Sequence, residues 1–415
     1  MLRGDLRSAR ETWCVDGRVK SIDFVILVVF GILAGFMSSE RTEAQFLSRV
    51  HAVDSGEIKL GMSSAETGRL GFLGSAVKRG CLASFARANR EGGISGRKVV
   101  LISYDDRNEP IEAVNNTERL IDHDKVFALL NFLGTSTSRA ILPMVGESNI
   151  VLLGPISGAE AFRQPIQTFV FNTRASYEDE VEMLVSHLTG DLGVNKIALF
   201  HQDDSYGDAG RAAVLDVLQR RGLRLVGEGS YVRNSVRAQD AVYHIAKSKP
   251  EAVLLFGAYK PCADFIRGAK QLGLQNTVFC NVSSVGTEPL ANYLGEAGEG
   301  VIISQVVPSP DDSSLPLVRD YQHDLQAVGS TEFTYMGLEG YLNGLVMITA
   351  LRAAGPELTE EKLVQALENV DLDFKAIRIR FGSNIRQGNH QVFLTRIQRG
   401  KAVPVDKLNP ADYVR

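Results

Sequence analysis

Along most of this chain, short and almost continuously apolar runs alternate with segments of helical period. The runs at 58–62, 99–104 and 127–130 read as strands, and a fourth ends at Gly154. Between the first two, 73–89 places Val77, Cys81, Leu82, Phe85 and Ala88 on one helical face. Residues 110–122 form the next predicted helix, opened by Pro110 in its first turn. Strands this uniformly apolar are buried on both faces, as in parallel sheets. After a strand at 169–174 the pattern starts again. Helices are predicted at 177–189, 207–221, 238–247 and 261–272, and strands at 196–201, 223–227, 252–257, 277–281 and 300–307. Three helices follow, over 315–328, 334–354 and 359–369. The runs 377–381 and 392–397, separated by a Gly/Asn-rich turn, read as a closing β-hairpin. The expected architecture is α/β, with two similar doubly wound parallel-sheet lobes.

The stretch 127–160 is the centre of this pattern. Both of its strands run into small, hydroxyl-bearing loops, Gly134-Thr135-Ser136-Thr137-Ser138 and Gly154-Pro155-Ile156-Ser157-Gly158-Ala159. Ligands of parallel sheets bind outside the strands' carboxyl ends, and helix-start N–H groups suit a carboxylate. Two such loops in tandem make an anion-accepting wall, although Gly/Ser/Thr turns also join strands to helices for structural reasons alone. In the second half, strand ends carry Asp203-Asp204-Ser205-Tyr206, Gly257-Ala258-Tyr259 and Asn281-Val282-Ser283-Ser284. That is a polar rim suited to gripping a small molecule between two domains.

Composition changes the picture at the ends of the chain. Residues 24–37 form an apolar run too short for a confident membrane span. With Arg18 and Lys20 before it and Thr42-x-Ala44 after it, 1–44 reads as a signal peptide, the alternative being an uncleaved anchor. Its long, acid-containing n-region points to a start later than Met1. A linker over 45–55 and a tail over 402–415 bracket the folded part. The net charge of −4 gives no electrostatic case for nucleic acid. Cys14 precedes the apolar run and is no lipoprotein cysteine. Of the three later cysteines, Cys81 reads as a buried hydrophobe. Cys262 and Cys280 would be open to pairing in an oxidising compartment, and otherwise remain thiols. There is no GxSxG, HExxH, Walker or GxGxxG motif, and the seven histidines keep no ligand spacing. No enzyme activity, metal or cofactor is therefore expected. His201 with Asp203 and Asp204 is better explained by acids at a helix start.

The strand IKLGM at 58–62, the GGISGR turn (92–97), the tandem GTSTS and GPISGAE loops, DDSYG (203–207), GAY (257–259) and NVSSVGTEPL (281–290) keep a common order and spacing. In these the chain, over about 57–401, resembles the periplasmic branched-chain amino-acid-binding proteins, the type I solute-binding proteins of ABC importers. The resemblance implies a hinged, monomeric, periplasmic protein that closes on a small ligand and delivers it to an ABC permease. A membrane-anchored or signalling receptor of the same fold is the alternative. It implies a first lobe of 56–172 plus 305–372 and a second of 173–304 plus 373–401. Crossings would fall near Thr173, Gln305 and Leu372. It also implies that Gly134, Thr135, Ser136, Ile156, Ser157 and Gly158 hold a ligand carboxylate, with Tyr206, Tyr259 and Ser283 facing them. Two departures stand out. Ser283 occupies a place where amino-acid binders carry an acid for the ammonium group, and Gly158 one where threonine is common. Either Asp203 or another acid substitutes, or the ligand is an amide or organic acid without an ammonium group. Arg174, at a crossing, reads as a hinge salt bridge, with a ligand carboxylate as its other candidate partner.

Overall fold

The computed structural model describes residues 56–413 apart from Val236. The expected signal peptide or anchor over 1–44 and the linker over 45–55 lie outside the described residues. Five strands make the first sheet: β1 (Glu57–Ser64), β2 (Lys98–Asp105), β3 (Ala128–Leu130), β4 (Leu152–Leu153) and β5 (Val170–Phe171). They lie in the order β2-β1-β3-β4-β5 and are all parallel. Leu130 and Leu153 enter one core, while Leu129 and Leu152 enter another on the opposite face. Burial on both faces is why these strands read as unbroken apolar runs.

The second sheet repeats the plan. Its parallel part comprises β6 (Ile197–Asp203), β7 (Leu225–Val232), β8 (Ala252–Phe256), β9 (Val278–Asn281) and β10 (Ile302–Gln305). Read from one edge, these run β7-β6-β8-β9-β10, the same order as in the first sheet. Each sheet therefore reverses its winding beside its first strand, and ligand crevices open at such reversals.

The chain's last part departs from expectation. The strands β11 (Asp371–Asp373) and β12 (Arg378–Arg380) pair with each other, whereas β13 (Phe393–Gln398) pairs antiparallel with β10 and with β14 (Lys401–Pro404). The expected hairpin of 377–381 with 392–397 does not form. Ile377, Ile379 and Phe381 bury in a first-lobe core, while Leu394 and Ile397 bury against the second sheet. Gln387 bridges to Asn172 beside β5. Residues 373–389 thus continue the first lobe, and the third crossing falls after Asn389 instead of near Leu372. The other two crossings follow β5 and β10. Residues 402–404, expected in the tail, belong to the second sheet.

Local chemistry sets the helix starts. Ser176 and Asp179 form a reciprocal capping box for Tyr177–Leu192, and Thr334 and Thr359 cap Tyr335–Ala354 and Glu360–Glu368. Between β3 and β4 the chain forms two short helices, Thr135–Ala140 and Leu142–Glu147, because Pro143 has no N–H to continue one ladder. Cys81, Cys262 and Cys280 are separate buried thiols, and burial raises all three above the usual thiol range. Among the described residues no helix is long and apolar enough to cross a membrane.

Candidate functional site: the cleft between the two lobes

The carboxyl ends of both sheets face each other across a cavity of about 50 Å³. Its first-lobe wall is made by Leu133, Gly134, Thr135 and Ser136 after β3, Ile156 after β4, and Asn108 after β2. Gly134 has φ +103°, and a Cβ there would stand 2.9 Å from both Asn108 Oδ1 and Thr137 Oγ1. The loop therefore needs glycine. Thr137 Oγ1 donates to the Leu133 carbonyl at 2.6 Å and holds the turn. Thr135 and Ser136 open the following helix, so their N–H groups have no intrahelical acceptor. The Thr135 hydroxyl meets Ser157 Oγ at 2.7 Å and the Tyr177 hydroxyl at 3.2 Å. The result is a cluster of three hydroxyls beside a free helix start.

The opposite wall comes from the second lobe. Asp204 Oδ1 accepts from the Tyr206 and Gly207 N–H groups and so caps the helix Ser205–Arg220. Its Oδ2 accepts from Ser136 Oγ at 2.8 Å, across the cleft, and from Gln202 Nε2 at 2.8 Å, with Arg233 Nε at 3.5 Å. The Tyr206 hydroxyl shares a 2.8 Å hydrogen bond with Ser284 Oγ, and its ring lies 5.8 Å from that of Tyr177. Burial pushes the Tyr206 hydroxyl well above its usual pKa, so at neutral pH it is a neutral donor and acceptor. Further bonds close the lips: Ser205 Oγ to Ser136 Oγ at 2.9 Å, and Asn234 Nδ2 to Glu109 Oε1 at 2.6 Å.

Of the residues singled out in the sequence, Gly134, Thr135, Ser136, Ile156 and Tyr206 line this cavity. Ser157 stands one layer behind, bonded to Thr135. Gly158 lies beneath Tyr177. A Cβ at Gly158 would come within 2.6 Å of the Tyr177 backbone nitrogen, so the tyrosine occupies the room a threonine would need. Tyr259 lines an adjoining cavity and packs edge-on against Phe72, 6.5 Å away. Ser283 is turned inward, where its N–H and hydroxyl donate to Glu180 at 2.7 and 3.0 Å and Arg174 Nη2 reaches its oxygen. Arg174 itself is 1% exposed, 3.6 Å from Glu180 and 3.5 Å from Glu339. It is a hinge ion pair linking the two lobes. Asp203 faces solvent, and Asp204 is the acid on the cavity.

Sequence reading missed Asn108 and Tyr177, both lining residues, and placed Gln202 and Ser284 on the strand-end rim without choosing them as ligand contacts. Asn108 lies just after a strand's carboxyl end, and that rule, applied to every strand, would have found it. Tyr177 follows a crossing and a capping serine, and nothing local marks it.

Asp106, two residues before Asn108, supports this wall. It accepts from Ser63 Oγ at 2.9 Å and from the Asn108 N–H at 2.8 Å. Burial pushes its carboxyl up from an ordinary 3.8 to about 6. An acid whose pKa is raised by folding contributes stability below its unfolded value, and that contribution is lost as pH rises through its folded one. Stability should therefore fall between about pH 4 and pH 6, by roughly 2–3 kcal/mol from this group. Urea unfolding across that range should show a flatter profile for Asp106→Asn. An unchanged slope would contradict the assignment.

The sequence profile of the family described as periplasmic binding protein matches residues 57–402. The Leu/Ile/Val/Thr-binding protein of Salmonella typhimurium is 23% identical over 259 residues, 62% of this chain and 70% of that protein. Among solved structures, a possible leucine/isoleucine/valine-binding protein from Rhodopirellula baltica superposes with a TM-score of 0.80 at 31% identity. It covers 85% of this chain and 97% of its own. A solute-binding protein of an ABC transporter from R. palustris, in complex with benzoate, shares the fold with a TM-score of 0.75 at 17% identity, over 84% of this chain and 95% of its own. Two lobes of identical strand order, a cleft at their facing carboxyl edges and a profile spanning both lobes lead to one assignment: the chain belongs to the periplasmic binding protein family, as a type I member of its branched-chain amino-acid-binding group.

Proposed function

We propose that this chain is the extracytoplasmic solute-binding component of an ABC importer, a monomer that captures a small carboxylate-bearing ligand by closing its lobes and presents it to a permease. One observation carries the reading. The helix start at Thr135, with the Thr135 and Tyr177 hydroxyls and Ser157 bonded behind them, makes a wall of donors opposite Tyr206. Such a wall suits a carboxylate. A ligand held there by both lobes stabilises the closed arrangement through the difference in its affinity for closed and open forms. No catalytic step is assigned to the cleft. Among the described residues its one lining acid, Asp204, is already held by a helix cap, two side-chain donors and Arg233.

An ammonium group would have to face Asp204, whose charge Arg233 already shares. The relatives bracket the choice. The Salmonella protein is named for amino acids, and the benzoate in the R. palustris protein is a carboxylate with no ammonium group. Amino acids, amides and organic acids are therefore the classes to screen by thermal shift. A true ligand at 100 Kd should add about 2.7 kcal/mol of stability. Removing a donor to a charged group costs enough to weaken binding roughly tenfold or more. Ser157→Ala, which loosens Thr135, and Tyr206→Ala should both shrink the shift, Tyr206→Ala the more. If both variants respond like the unmodified protein, the carboxylate wall lies elsewhere.

A further inference from the structure

We infer that the cleft is built for a ligand with an anionic group at each end, the second one held between Arg69 of the first lobe and Lys260 of the second. This rests on the carboxylate wall proposed above. The central cavity does not end at its lining. It continues into a space of about 190 Å³ that shares Leu70, Asn108, Gln202 and Ala258 with it. Leu70 and Ala258 make that passage partly apolar, as a short methylene chain would require. Beyond it stand Arg69 and Lys260, and among the described residues no acid lines this outer space. Among the described residues neither cation has a carboxylate partner, and Lys260 has only a 5.6 Å approach to the Tyr293 ring. Glu109, bonded to the lining residue Asn234 at 2.6 Å, is also engaged by Arg233 at 3.3 Å.

The two cations come from different lobes, so closure brings like charges into one cavity. In a partly solvated cleft that repulsion is modest but unfavourable. An anion lodged between them reverses its sign. A dianionic ligand then favours the closed form at both ends, whereas a monoanion of the same length leaves the outer end opposed to closure. Short α,ω-dicarboxylates are the simplest members of this ligand class.

The test is isothermal titration of the full chain with α,ω-dicarboxylates from succinate to pimelate and with monocarboxylates of matched length. Arg69→Gln/Lys260→Gln is run in parallel. At least one dicarboxylate should bind roughly tenfold more tightly than its monocarboxylate, the size expected of two solvent-exposed ion pairs. The preference should shrink in high salt. The double variant should lose the preference while binding monocarboxylates at least as tightly as the unmodified chain and keeping its unliganded melting temperature. Equal affinity for mono- and dicarboxylates, or a preference that survives the double substitution, overturns the outer subsite and leaves the carboxylate wall standing. If no carboxylate of either kind binds, the wall itself fails and the outer subsite falls with it.

Discussion

Arg174→Met is expected to destabilise the fold by about 3–5 kcal/mol, because it leaves buried carboxylates without their counter-charge. Arg174 lies at the first crossing, between Glu180 on the second lobe's Tyr177–Leu192 helix and Glu339 on the first lobe's Tyr335–Ala354 helix. The two acids are not equally exposed to its loss. Glu180 keeps donors from the Ser283 N–H and hydroxyl and from Ser304 Oγ at 2.6 Å. Glu339 Oε1 has no hydrogen-bond partner, and burial already pushes its carboxyl above the usual range against the pull of Arg174. Without the guanidinium, Glu339 should be held protonated more strongly. The contribution of an acid raised in this way is present at low pH and lost as pH rises, so the variant's deficit should narrow on acidification. Urea midpoints of Arg174→Met should therefore fall furthest at neutral pH, and adding Glu339→Gln should recover part of the loss. A deficit under about 1 kcal/mol at neutral pH would mean the pair is not what joins the lobes. The same cluster explains the serine at 283. An acid there would sit against Glu180, repelling it within a desolvated space.

Gly340→Val should be comparably damaging, at about 3 kcal/mol or more, since the obstruction is backbone that cannot rotate away. The helices Gly71–Arg90 and Tyr335–Ala354 touch through glycines. A Cβ on Gly340 would stand 2.1 Å from the Val77 carbonyl oxygen, and one on Gly80 1.8 Å from that of Gly337. Any side chain there must push apart the two helices that cover one face of the first sheet. Gly190, near the end of Tyr177–Leu192, is the control, because nothing lies within 4 Å of its added Cβ. Gly190→Ala should stabilise by up to about 1 kcal/mol through helix propensity. Denaturant curves on the three proteins decide the matter. Equal effects of Gly340→Val and Gly190→Ala would show that the helix contact tolerates separation.

Much of the architecture is legible in the sequence, and the reason lies in local periodicity. Strands buried on both faces leave uninterrupted apolar runs, as at 127–130 and 252–257, and helices leave a 3.6-residue stripe, as at Val77, Cys81 and Phe85. The loops Gly134–Ser136 and 154–158 were legible too, because glycine and hydroxyl residues after a buried strand reflect backbone demands written in a few adjacent residues. Three things belonged to the tertiary structure alone. Both 377–381 and 392–397 read as strands, but only their separate burial in different lobes decided that they never pair. Tyr177 became part of the site, and took the space over Gly158, because a chain crossing brought it there. Ser283, a ligand contact by the family resemblance, turned inward to an arginine over a hundred residues earlier in the chain. Periodicity and turn chemistry act within a few residues and survive in the sequence. Which lobe claims a strand, which face a serine turns and which charges meet at a hinge depend on long-range packing and desolvation, and those exist only once the chain has folded.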